Sequence, residues 1–342
     1  MKHLLIKIIT FSIPVLIIIP LVNYIGDPAR IFDTDYEEGL AKMISEGKQV
    51  TDYGNCDERI LQKELISRWT SPPDISIIGS SRTMQISSEY FPGLSLFNNS
   101  VSSACVNDII GIYQLYKDKK SVPKKIIIGI DPLIFDANNK DERWQSLAEY
   151  YYKFKNINYN GNSMLYKYNQ LFSFTYFQSS IEQIKQKSKG IRPKETDSKF
   201  NNRKTKLNDG SQVYGKGIRE ISINELEKKV NYFLSYDIKS YERFNSISET
   251  IWNDFEILIQ DMNNNNVEVE FFLAPYHPKI YKEFSSRCQS VLDVENKIIV
   301  FANKNDIMLH GSYNPNKNNL NENYFYDGIH AKEKSIPEIL EK

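Results

Sequence analysis

The sequence is poor in cysteine and histidine, the side chains that most often bind zinc. Its three cysteines are widely spaced and form neither a Cys-x-x-Cys pair nor a cluster with any of the four histidines. Zinc sites and disulfide frameworks both show characteristic cysteine spacings, and none is present here. We therefore predict no metal site, no disulfide framework and no bound cofactor.

An excess of positive charge is also absent. Lysine plus arginine and aspartate plus glutamate both number 43, so the formal net charge is zero. Proteins that bind the phosphate backbone of nucleic acids present a basic surface, because binding releases condensed counterions. Nucleic acid is therefore not expected as a partner. The content of 41% hydrophobic residues suffices for one large core or two small ones.

The longest apolar run lies at the N-terminus. Residues 4–25 contain one charge, Lys7, whose aliphatic stem can reach toward lipid headgroups, and the run is long enough to cross a bilayer. No small-x-small cleavage site follows, so an uncleaved anchor is predicted; the alternative is a buried core helix. By the positive-inside rule the N-terminus is cytoplasmic, which predicts a single-pass protein of the bacterial cytoplasmic membrane with an extracytoplasmic domain. The flanking charges are Lys2 and Lys7 before the run and Asp27, Arg30, Asp33 and Asp35 after it.

Short runs rich in β-branched residues alternate with amphipathic segments in the rest of the chain. The predicted strands are residues 74–79, 94–98, 125–130, 267–273 and 307–309. Apolar residues at helical spacing predict covering helices at residues 56–69, from a Ser103 cap through Tyr116, from a Ser248 cap through Met262, and over 291–301. Such alternation indicates a doubly wound α/β domain with a mainly parallel sheet, in which ligands bind beyond the carboxyl ends of the strands.

Residues 135–220 interrupt this alternation. They contain polar and aromatic stretches and a basic run from Lys185 to Lys204, which predicts an inserted helical or irregular cap. The basic run is a solvated loop or, alternatively, a surface that contacts an anionic glycan or lipid headgroup. The predicted division of the chain is 1–26 as cytoplasmic flank and anchor, 27–73 as extracytoplasmic linker and covering helix, and 74–342 as the α/β domain with its insertion.

Two short motifs carry the candidate chemistry. Ser81 follows the first predicted strand in a Gly-Ser-Ser-Arg turn, where a sharp bend can expose a nucleophile. Asp327 and His330 lie three residues apart after the last predicted strand, close enough for the carboxylate to orient the imidazole. Each motif alone has an ordinary alternative, a polar turn or a surface histidine. Their combination predicts a Ser-His-Asp triad.

This combination resembles the SGNH (GDSL-like) hydrolase family. The third residue of that family's Gly-Asp-Ser motif is the nucleophile, which falls on Ser81 with Ser80 in place of the aspartate, and its closing Asp-x-x-His falls on Asp327 and His330. The resemblance implies a flavodoxin-like three-layer α/β/α domain. With the predicted N-terminal anchor, the chain looks like the membrane-anchored SGNH-like proteins of envelope polymer modification, which include the alginate O-acetylation proteins and the teichoic acid D-alanylation protein.

The resemblance is incomplete at the oxyanion hole. The family uses a glycine after the second strand and a Gly-x-Asn block after the third, whereas this chain has Asn98-Asn99-Ser100 and Gly129-Ile130-Asp131. An ionised Asp131 would repel an oxyanion, so it points away, another donor replaces it, or Asp131-Pro132 only terminates the strand. His277, after the fourth strand, either lines the substrate pocket or is a buried structural histidine. The candidates for oxyanion or substrate contact are Arg82, Asn99, Asp131 and His277, together with the Ser81 N–H.

The expected function is that of a membrane-anchored SGNH-like serine esterase or O-acyltransferase. Its substrate would be an acyl ester or a cell-envelope polysaccharide or glycan, modified through an acyl-enzyme. Water as the acceptor gives hydrolysis and a sugar hydroxyl gives transfer, and both stay open. The alternative is a catalytically inactive envelope protein that binds glycan or scaffolds a polysaccharide-modifying complex. A multispanning acyltransferase is a candidate partner.

Overall fold

A computed structural model describes residues 2–28, 32, 35–159, 161, 168–169, 171–188 and 192–340. These residues form a mixed α/β structure with two separate sheets. The strands are β1 (Gln49–Thr51), β2 (Ile75–Ile78), β3 (Leu96–Asn98), β4 (Lys125–Gly129), β5 (Lys194–Thr196), β6 (Thr205–Lys206), β7 (Gln212–Val213), β8 (Glu268–Leu273) and β9 (Met308–Gly311). The α-helices are α1 (Lys2–Gly26), α2 (Asp35–Ser45), α3 (Glu58–Arg68), α4 (Val106–Asp118), α5 (Ala148–Phe154), α6 (Phe174–Ser188), α7 (Lys216–Arg219), α8 (Ile223–Tyr232), α9 (Ile238–Glu242), α10 (Glu249–Asn264), α11 (Pro278–Arg287), α12 (Gln289–Lys304) and α13 (Ile336–Leu340).

The larger sheet has five parallel strands in the order β3-β2-β4-β8-β9. Its central strands are apolar on both faces, because both faces are covered: all of β2 is buried, and Ile126, Ile127 and Ile128 of β4 are completely inaccessible. All five predicted strands are present, with ends that shift by a residue or two. The prediction of a mainly parallel α/β sheet is therefore confirmed.

The two faces of this sheet are covered differently. Ile128 and Phe271 pack against the long helices α4, α10 and α12 in the main hydrophobic core. Ile127 and Phe272 point to the opposite face, because side chains alternate along a strand, and pack against the C-terminal segment around Phe325 and α13. The C-terminal segment that carries Asp327 and His330 is thereby held against the sheet.

The helix starts test the capping residues that the sequence suggested. Ser248 caps α10 as predicted, and its Oγ accepts from the Ile251 N–H at 3.4 Å. The predicted Ser103 cap of α4 is wrong. The cap is Cys105, whose N–H donates to Asp108 Oδ2 at 3.0 Å, and Ser103 lies two residues earlier with a φ of +48°. A residue in the left-handed region cannot begin the helix, so Ser103 belongs to the preceding turn.

A second sheet, antiparallel and in the order β5-β1-β6-β7, was not predicted. It joins β1, from the segment predicted to be a linker, to three strands of the insertion. The prediction that residues 135–220 are only helical or irregular is therefore wrong. These strands are two or three residues long, which is too short for alternating hydrophobicity to be recognised.

The N-terminal helix α1 presents a largely apolar surface. Near its C-terminal end, Asn23 Nδ2 donates to the carbonyls of Leu171 (2.8 Å) and Ser173 (3.1 Å), and Ser180 Oγ of α6 donates to Asn23 Oδ1 (3.0 Å). Over the described part of the chain, no helix combines the length and apolar character that crossing a membrane needs. Arg30 and Asp33, which entered the orientation prediction, and residues 189–191 of the basic run lie outside the described residues. Exposed apolar side chains of α1 include Ile13, Val15, Leu16, Ile17, Ile18 and Leu21.

Candidate active site

Ser81 lies in the turn that follows β2, at the carboxyl edge of the parallel sheet. Ser80 closes this turn, because its carbonyl accepts from the Thr83 N–H (3.1 Å) and its Oγ from the Arg82 N–H (3.1 Å). Gly79 is required just before it: a Cβ there would lie 2.6 Å from Thr83 Oγ1 and 3.0 Å from the backbone of Gly129. Close strand packing and a tight turn therefore place Ser81 at the rim of the sheet.

The structure brings Ser81, His330 and Asp327 into one hydrogen-bonded chain. Ser81 Oγ lies 2.9 Å from His330 Nε2, although the residues are 249 positions apart, and His330 Nδ1 lies 2.8 Å from Asp327 Oδ2. Asp327 Oδ1 also accepts the backbone N–H groups of Ile329 (2.9 Å) and His330 (2.8 Å). A carboxylate held in this way fixes the imidazole proton on Nδ1 and leaves Nε2 to accept the serine proton.

The electrostatics of the site keep Asp327 ionised. Burial raises the pKa of Asp327, but the charge and hydrogen bond of His330 and the two backbone N–H bonds outweigh burial and lower the pKa to about 2. Tyr214 packs edge-on at 6.0 Å between ring centroids from the His330 imidazole, and its pKa is raised by burial and by Asp327. The anion in this site therefore resides on Asp327, and Tyr214 stays a neutral phenol.

Arg82 forms hydrogen bonds to several segments at the rim of the site. Its Nε donates to the Ile329 carbonyl (3.1 Å), its Nη1 to Asp131 Oδ1 (2.6 Å), and its Nη2 to the carbonyls of Ala274 and, at 3.0 Å, Pro275. Its side chain is only 3% exposed. The guanidinium thus bonds to the ends of β4 and β8 and to the loop before His330. It also lines the cavity that contains Ser81, so its role in oxyanion or substrate contact stays a prediction. Arg82 is a positioning residue.

Asp131 follows β4 and lines the same cavity as Ser81. Its carboxylate is 19% exposed and pairs with Arg82 rather than standing alone. A buried cation at 2.6 Å offsets the repulsion that a free carboxylate would exert on a developing oxyanion. Asp131 therefore does more than terminate its strand, since it balances the charge of the positioning arginine.

Asn99 is completely buried and has no role at the rim. Its Oδ1 accepts from Ser76 Oγ (2.8 Å) and the Tyr116 hydroxyl (2.6 Å), and its Nδ2 donates to Gln62 Oε1 (2.7 Å). Buried polar groups need such partners, because an unpaired one costs about 1–3 kcal/mol. The prediction of Asn99 as an oxyanion donor is wrong, because its amide completes a polar network inside the core.

His277 is a helix cap and does not line the cavities beside Ser81. Its Nδ1 accepts from the Lys279 N–H at 3.2 Å at the start of α11, and its backbone N–H donates to the Gly328 carbonyl at 3.1 Å. Burial lowers the pKa of His277, which keeps the ring neutral and able to accept. His277 lines neither cavity beside Ser81. The pocket alternative is therefore contradicted, and the structural one holds.

Two cavities meet at Ser81. The Asp131 cavity, of about 780 Å³, is lined by Arg82, Asp131 and residues of the segment after β4. The His330 cavity, of about 610 Å³, is lined by His330, by Lys204 just before β6, and by Gln212 of β7 and Tyr214 after it. Both volumes suit a small ligand or part of a larger one. Ser81 is accessible from both sides.

The turn 102–104 is a part of the site that the sequence did not reveal. Ser102 lines the His330 cavity and Ser103 the Asp131 cavity, so this turn passes beside Ser81 between them. The Ser102 N–H donates to Glu58 Oε2 at 2.5 Å, and its carbonyl accepts from Arg59 Nη2 at 3.0 Å. Because the Ser102 N–H is already bonded, the backbone N–H groups of Ser103 and Ala104 are the oxyanion-hole candidates in this turn, together with that of Ser81. Ser103 has a left-handed φ, a conformation that glycine usually adopts. Because the residue is serine, the sequence gives no indication of a turn with this conformation.

Comparisons with known proteins assign no family to the chain. No protein-family model matches it, and no curated protein matches it. Among the residues that the structure describes, no group of three or more His, Cys, Asp or Glu side chains is arranged to hold a metal ion.

Proposed function

We propose that the protein is a serine esterase or O-acyltransferase that forms an acyl-enzyme on Ser81. The observation that carries this proposal is the pair of hydrogen bonds from Ser81 Oγ to His330 Nε2 (2.9 Å) and from His330 Nδ1 to Asp327 Oδ2 (2.8 Å). A serine hydroxyl becomes a nucleophile when an imidazole can accept its proton and a carboxylate stabilises the resulting cation.

The topology supports membership of the SGNH family. Numbered along the parallel sheet, the strand order is second, first, third, fourth and fifth, which is the order of flavodoxin-like domains. Ser81 follows the first of these strands, and Asp327 and His330 follow the last. Such folds bind ligands beyond the carboxyl ends of their strands, where these three residues meet.

In the proposed reaction, His330 takes the proton of Ser81 as Oγ attacks the carbonyl carbon of an ester. The tetrahedral intermediate collapses when the C–O bond to the alcohol breaks and His330 returns the proton to that oxygen. Water or a sugar hydroxyl then gives its proton to His330 and attacks the acyl carbon. The bond from that carbon to Ser81 Oγ breaks, and His330 returns the proton to Oγ. The N–H groups of Ser81, Ser103 and Ala104 are the proposed donors to the oxyanion, while Asp327 orients the imidazole.

Covalent labelling by a fluorophosphonate probe tests this proposal directly, because the probe reacts with an activated serine. We expect the wild-type chain to be labelled on Ser81 and the Ser81→Ala variant to show no labelling. Ser80→Ala is the matched control, since it removes the neighbouring hydroxyl, which accepts the Arg82 N–H but does not contact His330. We expect this control to retain labelling. Equal labelling of Ser81→Ala and wild type would reject the nucleophile.

We further propose that the protein acts on an envelope glycan at the membrane surface. The exposed apolar side chains of α1, from Ile13 to Leu21, support contact of this helix with lipid or with a multispanning acyltransferase partner. We expect the full-length chain to remain with bacterial membranes through a high-salt wash, and a chain that starts at Asp27 to be released. Recovery of the full-length chain in the soluble fraction would count against this location.

A catalytically inactive glycan-binding protein is the second candidate. The observation that favours it is the carboxylate of Asp131 at the position where the family has an oxyanion-stabilising amide, although Arg82 balances its charge. This candidate predicts that even the wild-type chain is not labelled by a fluorophosphonate while it still binds glycan.

A further inference from the structure

We propose that the acyl acceptor binds in the His330 cavity and is a negatively charged saccharide, selected by Lys204 and Arg203. This inference rests on the proposed acyl-enzyme function and names its acceptor. It gives the segment that leads into β6 of the second sheet a role in the specificity of the site.

The position of His330 decides which cavity takes the alcohol. His330 must protonate the leaving alcohol and deprotonate the incoming one, so both alcohols approach from the side of its Nε2. Ser81 lines both cavities, but His330 lines only the cavity that it shares with Tyr214. The acceptor hydroxyl therefore enters through the His330 cavity, and the acyl group on Ser81 extends toward the Asp131 cavity.

The charges of the two cavities differ. In the Asp131 cavity, positive and negative side chains are balanced in number. The His330 cavity has Arg203 and Lys204 against one carboxylate, Glu58, and that carboxylate already accepts the Ser102 N–H. An excess of positive charge beside a nucleophile attracts an anion. The charged side chains that line the Asp131 cavity are Arg82, Lys140, Arg243, Asp131, Asp136 and Asp141.

Lys204 and Arg203 are only weakly engaged with protein carboxylates. The Lys204 ammonium lies 4.5 Å from the centroid of the Tyr53 ring, a contact that orients the side chain without neutralising its charge. Arg203 Nε lies 3.8 Å from Asp52 Oδ1, beyond hydrogen-bond distance, and its side chain is 46% exposed. Both cations can therefore still pair with a ligand carboxylate or phosphate.

The remaining wall of the His330 cavity suits a sugar. Tyr214 offers an aromatic ring next to the His330 imidazole, and Gln212 and Asn202 offer amide groups. Gly217 has open space where a side chain would lie, and the cavity of about 610 Å³ falls within the range of small-ligand sites. An apolar ring beside hydrogen-bonding groups and two cations fits an acidic saccharide better than a neutral alcohol.

The experiment compares two acceptors that differ only in charge. Acetyl transfer from p-nitrophenyl acetate is measured to cellotetraose and to the same tetramer oxidised to carboxylates at C6. For Lys204→Gln we expect the KM for the oxidised tetramer to rise about five- to tenfold relative to that for cellotetraose, with little change in kcat. Glu58→Gln, which keeps an oxygen for the Ser102 N–H, should lower the same KM ratio.

Lys194→Gln is the matched control for Lys204→Gln. Lys194 lies in β5, pairs with Asp52 at 2.8 Å and does not line the His330 cavity. We expect this variant to leave the KM ratio unchanged. Equal effects of Lys204→Gln on both acceptors, an equal effect of Lys194→Gln, or preferential acetylation of phosphatidylglycerol vesicles would overturn the inference.

Two further measurements separate this inference from the proposed function. Fluorophosphonate labelling reports on Ser81 alone, so an unlabelled wild-type chain means that the acyl-enzyme proposal has failed. Calorimetric titration of the Ser81→Ala chain with the oxidised tetramer reports on the cavity alone. Weaker binding after Lys204→Gln in that background supports the acceptor site, and unchanged binding rejects it even if Ser81 is labelled.

Discussion

Asp327→Asn should lower kcat for ester turnover by about three to four orders of magnitude. In the wild type, the Asp327 carboxylate accepts a hydrogen bond from the His330 Nδ1 proton. In the variant, the asparagine amide donates a hydrogen bond to His330 Nδ1. The imidazole proton then moves to Nε2, and Ser81 Oγ loses its proton acceptor although the side chains stay in place. The variant should fold, because an amide oxygen can still accept the Ile329 and His330 N–H groups that Asp327 Oδ1 accepts now.

Asp237→Asn is the control for this experiment. The pKa of Asp237 is raised by partial burial and by the nearby charge of Asp327, so the two acids share an environment. Asp327 alone of the two contacts His330 at hydrogen-bond distance. Steady-state turnover of an acetyl ester and the rate of fluorophosphonate labelling should fall together in Asp327→Asn and change little in Asp237→Asn. Comparable turnover by Asp327→Asn and wild type would contradict the triad.

The pH dependence of stability gives a second measure of the same carboxylate. The pKa of Asp327 is about 2 in the folded protein, below its ordinary value of 3.8. A lowered pKa means that the carboxylate stabilises the fold above about pH 4 and that this contribution is lost as the pH falls toward 2. Between pH 5 and 2, the free energy of unfolding should fall by on the order of 1–2 kcal/mol more in wild type than in Asp327→Asn. Urea unfolding at several pH values measures the difference.

The parallel sheet could be predicted because its signals are local. A buried parallel strand such as β4 is a continuous apolar run, and the helices between strands show helical spacing of apolar residues. The second sheet depends on pairing between distant residues, such as Gln49 with Thr196, and its short strands include a buried lysine, Lys206. Nothing in the local sequence distinguishes such strands from loops.

The candidate site also has parts that local sequence predicts and parts that depend on distant contacts. Asp327 and His330 are three residues apart, so their contact follows from local spacing. The contact of Ser81 with His330, 249 positions away, was predicted from the order of the strands and from the resemblance to a known family. The environments of the oxyanion candidates depend on contacts between distant segments. The Asn99 amide forms hydrogen bonds inside the core, and the Arg82 guanidinium donates to the carbonyls of Ile329 and Pro275. Tertiary contacts decide whether a polar side chain at the end of a strand faces the ligand or the protein interior. Those contacts cannot be identified from the local sequence.

Arg82→Met should destabilise the protein by about 3–5 kcal/mol, the usual cost of removing one partner of a buried ion pair. Asp131 would be left without its cation, and the carbonyls of Ile329, Ala274 and Pro275 would lose their donor. The guanidinium also stacks 3.9 Å from the Tyr276 ring centroid, a contact that methionine replaces only in part. Urea unfolding measures the loss.

The double variant Arg82→Met, Asp131→Asn shows whether the unpaired charge is responsible. Removing the carboxylate together with the guanidinium leaves no uncompensated ion, so we expect the double variant to be more stable than Arg82→Met alone by about 1–3 kcal/mol. A double variant that is as unstable as the sum of the two single variants would show that Arg82 and Asp131 act independently.

Arg82→Lys separates positioning from stability. Lysine keeps the positive charge for Asp131 but cannot span Asp131, Ile329 and Pro275 with one planar group. The variant should therefore remain folded, while the loop that carries His330 is held less firmly. We expect kcat to fall about 10- to 100-fold with a smaller change in KM, because sub-ångström displacement of the imidazole from Ser81 Oγ weakens proton transfer more than ester binding. A folded Arg82→Lys variant with wild-type kcat would mean that the guanidinium serves stability alone and that the backbone around Asp327 suffices to aim the imidazole.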